Sequence, residues 1–321
     1  MSNIECTIEE FIEQACEQIR EEAAGRPVLC ALSGGVDSAV CAVLAQRAIG
    51  EQLTCVFVDT GLMRKNEGEQ VRSLFLESYK INLICVDAEG RFLEKLSRVK
   101  SPERKRKVIG TEFVRVFEEQ AKKLGEIGCL LQGTIYPDIM ESGEDGYAHV
   151  KAHHNVKGMP LNIKFKKIIE PLRMLFKEEV RECGRKLGLP EDFAGRQPFP
   201  GPGLAVRCLG KLTKERLDAL READAIFREE IEAAGLQKEI QQYFAVLPGI
   251  KSVGVRGGER CYEQAIILRA IKTTDFVTAG SARLPYELLE TAAARITSEV
   301  GGINRVALDI TPKPPGTVEW E

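Results

Sequence analysis

The run Ser33-Gly34-Gly35-Val36-Asp37-Ser38 stands between an apolar stretch, PVLCAL (27–32), and a helix-forming one, AVCAVLAQRA (39–48). Two glycines at a strand-to-helix turn let several backbone N–H groups point the same way, and the helix dipole adds positive potential there. Such a cradle takes an anion, and with the Ser33 and Ser38 hydroxyls beside it a pyrophosphate fits. Asp37 is the odd member. A carboxylate in an anion site is repulsive unless a divalent cation stands between, so the loop implies magnesium with Asp37 as one ligand. The spacing is neither that of a G-x-x-x-x-G-K-[ST] loop nor that of G-x-G-x-x-G. Read blandly, Ser-Gly-Gly is an ordinary turn and Asp-Ser an ordinary helix cap. The strand before and the helix after favour the phosphate reading.

Other chemistry-bearing residues are scattered more widely. Asp138 and Glu141 are three apart just past CLLQGT (129–134). On a helical turn they share a face and can hold magnesium, or they simply complement a helix dipole. His153 and His154 are adjacent in a loop with Lys151, so at least one is exposed, as a phosphate-neutralising group or as plain loop polarity. The run Arg104-Lys105-Arg106-Lys107 reads as a solvated helix face or as phosphate ligands. The tail KPPGTVEWE (313–321) is stiffened by proline. It sets Lys313 and Glu319 apart at little entropic cost, which suits a nucleoside monophosphate: Lys313 for the phosphate, and Val318, Glu319 and nearby backbone for the purine.

These residues need elements to position them. Helices are expected at 5–23, 39–49, 66–78 and 102–124, alternating with apolar strands at 27–32, 53–59, 83–88 and 129–134. That repeat implies a parallel sheet covered on both faces, with ligands at the carboxyl ends of its strands. QPFPGPG (197–203) breaks the pattern, and the boundary is placed there. Beyond it the sequence predicts strands at 204–210, 251–256, 265–272 and 305–310, with helices at 213–234 and 285–299.

Charge and cysteine content narrow the classes. With 45 basic and 48 acidic residues the net charge is −3, so no global field recruits nucleic acid or an anionic membrane. No stretch of about 18 apolar residues occurs, and a cytoplasmic protein is expected. The ten cysteines include no C-x-x-C pair, which argues for reduced, mostly buried thiols and against a structural zinc site.

In its strand-and-helix setting SGGVDS resembles the signature loop of the ATP-pyrophosphatase superfamily, whose members cleave ATP between the α and β phosphates. From about residue 27 onward the chain is similar to the GMP synthases. Seven segments carry this in order: VFVDTGLMRKNE (56–67), PERKRKVIG (102–110), QGTIYPDIMES (132–142), VKAHHN (150–155), EPLRMLFKEEVR (170–181), PFPGPGLAVR (198–207) and KPPGTVEWE (313–321). The resemblance implies an α/β, adenine-nucleotide hydrolase-like ATP-pyrophosphatase domain at 1–197. A small α+β domain at 198–321 would serve dimerisation and XMP binding. It implies ATP contacts at Ser33, Gly34, Gly35, Val36, Asp37, Ser38, Ala39, Val58 and Gly133, and magnesium at Asp37, Asp138 and Glu141. Asp138, Glu141, Lys151, His153 and His154 would be catalytic, Lys105 would belong to a lid, and Arg64, Lys313, Val318 and Glu319 would bind XMP. The implied reaction adenylates the C2 oxygen of XMP with ATP, releases pyrophosphate and lets ammonia displace AMP to give GMP, in a homodimer.

Departures from the family pattern are also visible. No glutaminase precedes the loop and no G-x-C-x-G elbow occurs, so ammonia is expected from solution or from a separate glutamine amidotransferase subunit. Gln197 replaces the family's histidine, and RGGERCYEQ (256–264) differs from the usual pattern. Other readings are an NAD synthetase, which leaves the tail unexplained, a tRNA-thiolating enzyme, disfavoured by the missing C-x-x-C, and a non-catalytic nucleotide-binding regulator.

Overall fold

Val28–Leu32 carries five residues that are buried or nearly so, and a strand this apolar is stable only in the middle of a sheet covered on both faces. The computed structural model, which describes residues 4–140, 163, 165–199, 201–274 and 276–321, puts it there as β1. The chain divides into two compact units. The first comprises Met1–Gly61, Asn66–Glu89 and Ile109–Arg196; the second comprises Leu62–Lys65, Gly90–Val108 and Gln197–Glu321.

In the first unit, α1 (Ile8–Ala23), β1, α2 (Val36–Ile49), β2 (Leu53–Asp59), α3 (Glu67–Ser73) and β3 (Asn82–Asp87) follow one another. The chain then passes through α4 (Glu89–Leu96) and the start of α5 (Pro102–Lys123), which belong to the second unit from Gly90 to Val108, and returns to the first with the rest of α5, β4 (Cys129–Leu131), α6 (Tyr136–Met140), β5 (Lys167–Ile169), α7 (Lys177–Lys186) and α8 (Glu191–Ala194). The sheet order is β3-β2-β1-β4-β5 and every pairing is parallel. The order reverses between β1 and β4, and a crevice at the carboxyl ends of such a strand pair is where ligands of open parallel sheets bind.

Two features fix α2 against this sheet. Its residues Ala39, Val40, Cys41, Ala42, Leu44 and Ala45 are fully buried, so its middle turns are apolar all round and lie between α1 and α7 as well as on β1. Gly184 of α7 lets the helices close in, since a Cβ there would come within 3.0 Å of Val40 Cγ2. At the other side α1 starts with a reciprocal cap: Thr7 Oγ1 accepts from Glu10 N at 3.2 Å, and Glu10 Oε2 accepts from Thr7 N at 2.8 Å.

The second unit is built on α9 (Lys214–Ala233), β6 (Gln242–Val246), β7 (Lys251–Arg256), β8 (Glu259–Lys272), β9 (Gly280–Ser281), α10 (Tyr286–Glu299) and β10 (Ile303–Asp309). Its sheet runs β10-β8-β6, with β7 and β9 also paired to β8. β10 is parallel to β8 and the other partners are antiparallel, so this unit is α+β. Gly257 and Gly258, both at positive φ, form the two-residue turn of the β7–β8 hairpin, which accounts for the RGGERCYEQ segment.

Several expected elements change. The strand expected at 204–210 is instead a short 3-10 turn, Gly203–Val206, with a single bridge from Cys208 to Leu247. Leu204 N donates to Leu62 O at 2.7 Å, and a Cβ on Gly203 would come within 2.2 Å of that same oxygen. An apolar run this short cannot be told from a buried helical turn by composition. The helix expected at 66–78 ends at Ser73 and widens into a π-helical turn, Leu74–Ser78. Seven of the ten cysteines are buried, and all are free thiols. Among the described residues no helix is long and apolar enough to cross a membrane.

Candidate active site

Gly34 has φ +82°, a conformation that glycine adopts without strain, and Gly35 is the N-cap of α2 with no capping side chain. The first N–H groups of a helix have no partner within it, so this end is open to an anion. The serines close the loop on itself: Ser33 Oγ and Ser38 Oγ are 3.0 Å apart, Ser38 Oγ donates to Gly35 O at 3.0 Å, and Gly35 N donates to Ser33 Oγ at 3.3 Å. Ser33 and Gly35 are exposed, while Asp37 and Ser38 are partly so. Ala39 is different. It is fully buried and its N–H donates to Gly35 O at 3.1 Å.

The neighbouring strand end is in close contact. A Cβ on Gly133 would lie 3.0 Å from the carbonyl carbon and oxygen of Asp37 and 3.2 Å from Ser38 N, so the loop after β4 meets the first turn of α2 backbone to backbone. That loop is tied down in turn: Gln132 N donates to Ile169 O at 2.9 Å, Thr134 Oγ1 to Glu170 Oε1 at 2.5 Å, and Tyr136 N to Leu175 O at 2.9 Å. Asp138 caps the turn, with Oδ2 accepting from Ile135 N at 3.0 Å. Val58 lies buried one residue before the end of β2. Glu141, Lys151, His153 and His154 lie outside the described residues.

Lys177 escaped the sequence reading. At the first position of α7, its ammonium donates to Asp37 Oδ1 at 2.8 Å and Oδ2 at 2.7 Å. A cation in the first turn of a helix opposes the dipole, and that mismatch was the signal available in the sequence. It sets a positive charge beside the anion cradle.

In the second unit buried arginines gather around the tail. Arg207 holds Glu319 with two bonds, Nε to Oε2 at 3.0 Å and Nη2 to Oε1 at 2.8 Å, and Gln242 Nε2 adds a third at 3.1 Å. Arg64 lies 3.6 Å from Asp224 Oδ2, and both it and Arg207 stack over Phe199. Arg269 donates to the carbonyls of Thr311, Thr317 and Val318 at 3.1, 2.8 and 2.9 Å and to Asp309 Oδ2 at 2.7 Å. Thus Arg64 and Glu319 are connected through Asp224 and Arg207, while Arg269 holds the Val318 carbonyl. Lys313 sits apart, its backbone bridged to Ala279 and its ammonium on Phe276 O.

One expectation changes here. Lys105 is not on an exposed lid: it is fully buried, and its ammonium donates to Ala205 O, Cys208 O and the Glu321 carboxylate. A lysine buried this deeply must spend its donors on fixed acceptors. The Glu319 carboxylate is held by Arg207 and Gln242.

A parallel sheet of order 3-2-1-4-5 with a Ser-Gly-Gly-Val-Asp-Ser turn at its switch point is of the adenine-nucleotide hydrolase-like fold class. Residues 6–107 match the family model for NAD synthase, and residues 229–320 match that for the GMP synthase C terminal domain. GMP synthase [glutamine-hydrolyzing] of Ruminiclostridium cellulolyticum is 60% identical over 311 residues, covering 97% of this chain and 61% of that protein. The protein of the same name from Acetivibrio thermocellus gives the same identity and coverage, and that from Clostridium tetani is 57% identical over 315 residues, 98% of this chain and 62% of that protein. The chain is thus similar to the synthetase part of GMP synthases, and it spans about three fifths of the length of these relatives.

Proposed function

We propose that the chain carries the synthetase reaction of its relatives: ATP-dependent adenylation of XMP at the C2 oxygen, then amination by ammonia, giving GMP, AMP and pyrophosphate. The observation that supports it most is the open amino end of α2, framed by Ser33, Ser38 and Gly133 and flanked by the Asp37–Lys177 pair. Its N–H groups and the Lys177 ammonium are preorganised for a departing pyrophosphate, and such fixed dipoles and charges are the main source of catalysis in this kind of transfer. Adenylation turns the C2 oxygen into a good leaving group, so the protein has mainly to hold reactants in line and neutralise charge.

Magnesium fits the donors. Asp37 presents two hard carboxylate oxygens, its side chain is 28% exposed, and a lysine ammonium is the cation now seated on them. Among the described residues no group of three acids or histidines forms a closed cage. Magnesium takes hard oxygen donors such as these carboxylates and completes its shell with phosphate oxygens and water. Asp37 and Asp138 would hold it, with Glu141 as a further ligand. When bound it neutralises charge on the phosphates.

XMP would be held by the second unit, through Lys313 and the backbone of Val318 and Glu319, with Arg64 buried beneath. We further propose domains at 1–197 and 198–321, a homodimer formed through the second, a cytoplasmic setting, and ammonia taken from solution or delivered by a glutamine amidotransferase. The test is pyrophosphate release from Mg-ATP and ammonium with XMP, IMP, nicotinate adenine dinucleotide or no acceptor. XMP-dependent release with GMP formed is expected. Release driven by another acceptor, or by none, would refute GMP synthesis.

A further inference from the structure

Arg196 ends the first unit with a guanidinium only 11% exposed. Its Nη1 donates to Gly34 O at 3.1 Å and to Glu67 Oε1 at 2.7 Å, its Nε to Asp192 O at 3.2 Å and its Nη2 to Gln70 Oε1 at 3.4 Å. The guanidinium also lies 4.3 Å from the centroid of the Phe193 ring, and Glu67, at the start of α3, is 6% exposed. Arg181 Nη2 fixes the backbone beneath by donating to Arg196 O at 3.1 Å.

We propose that Arg196, braced by Glu67, is a positioning residue for the phosphate-binding loop: by holding the Gly34 carbonyl it sets the orientation of the peptide joining Gly34 to Gly35. This rests on reading that loop as the pyrophosphate cradle. The need for such a brace follows from the glycines. Without a Cβ on either residue, sterics do not choose between the two faces of their shared peptide, and one choice turns a carbonyl rather than an N–H toward the anion. A carbonyl oxygen there would repel phosphate, whereas the captured one faces a cation instead.

The pairing also separates position from charge. At 2.7 Å Glu67 balances the guanidinium, so the pair adds little net attraction for phosphate at the loop. Its contribution is geometric. The planar fork reaches the Gly34, Asp192, Glu67 and Gln70 oxygens while stacked on Phe193, and an ammonium cannot reproduce that arrangement.

The experiment compares wild type, Arg196→Lys, Arg196→Met, Glu67→Gln and the Arg196→Met/Glu67→Gln double variant. Pyrophosphate binding is measured by calorimetry in magnesium buffer, alongside KM for ATP and for XMP and the thermal midpoint. Loss of a buried, charge-assisted hydrogen bond predicts pyrophosphate binding weaker by about tenfold or more in both Arg196 variants. KM for ATP should rise in parallel while KM for XMP stays put, and the double variant should be no worse than Arg196→Met alone. Full binding by Arg196→Lys would show that charge suffices and overturn the proposal, as would equal shifts in both KM values. If Arg196→Met fails to fold, Arg196→Lys and Glu67→Gln decide by the same criteria. Wild type that binds no pyrophosphate would instead sink the reading of the loop, and the proposal with it.

Discussion

Asp309 is the residue on which the tail of the second unit hangs, and Asp309→Asn is the perturbation that exposes this. Its Oδ1 accepts from Thr311 N at 2.9 Å, and its Oδ2 accepts from Arg269 Nη1 at 2.7 Å and from Trp320 Nε1 at 3.0 Å. The two charged side chains are 12% and 1% exposed, so little water screens the pair. An asparagine keeps the shape but leaves the Arg269 charge without its counter-ion. Breaking one side of a buried pair costs about 3–5 kcal/mol. Arg269 retains its three carbonyl acceptors, so the lower end, about 3 kcal/mol, is expected; applied to tail docking that is roughly a hundredfold shift toward an undocked tail. The readout is built in, because Trp320 is the single tryptophan of the chain and is 37% exposed. Asp309→Asn should red-shift its emission, raise its quenching by acrylamide and weaken XMP binding in proportion to the undocked fraction. Acid should act on wild type in the same direction. Burial pushes the Asp309 carboxyl up, but Thr311, Arg269 and Trp320 outweigh it and hold the group below its ordinary value. A depressed carboxyl contributes stability that is full above the unfolded value, about 3.9, and is lost as pH falls through the folded one. Wild type should therefore lose its advantage over Asp309→Asn as the pH drops below about 4. Identical emission, quenching and midpoint in the two proteins at pH 7 would refute the reasoning.

Other perturbations test the first unit. Gly133→Ala sets a methyl 3.0 Å from the Asp37 backbone, where no flexible side-chain end can yield, so α2 or the loop must shift by a few tenths of an ångström. Pyrophosphate release should fall by about ten- to a hundredfold with far-ultraviolet circular dichroism unchanged, since small misplacements of this kind are costly in catalysis. Lys177→Gln removes a pair whose side chains are 38% and 28% exposed, so the thermal midpoint should move by no more than a few degrees, as for a pair worth under about 1 kcal/mol, while turnover falls at least tenfold. Equal losses of stability and activity would make the pair structural instead. In native protein a thiol reagent should reach Cys85, Cys6 and Cys261 quickly and the seven buried cysteines only on unfolding; burial pushes Cys183 up to about 12.

What could be read from the sequence was what is local. The glycine loop, the strand before it and the helix after it announce themselves within about twenty residues, and β1, β2 and β3 lie within a residue or so of their expected limits. The partners of that loop were hidden because the fold brings them from afar: Lys177 lies 140 residues from Asp37, and Arg196 lies 162 from Gly34. Lys105 misled for a related reason. In a run of four basic residues nothing marks the one whose acceptors, Ala205 and Cys208, arrive a hundred residues later. β5 is three residues long and its first two are exposed, so it carries no periodicity to read. β6, with all five residues buried, lacks alternation for the opposite reason.

The chain visits the second unit twice, at Leu62–Lys65 and Gly90–Val108, before it commits to it at Gln197. On the ribosome, therefore, those early segments must wait for residues made much later, and Lys105 in particular stays without its acceptors until Ala205 and Cys208 have emerged. The same threading governs dissection. A fragment cut between 197 and 198 would keep Arg64 and Lys105 in one piece and Asp224 and Ala205 in the other, so each proposed domain, expressed alone, would carry buried polar groups without these partners.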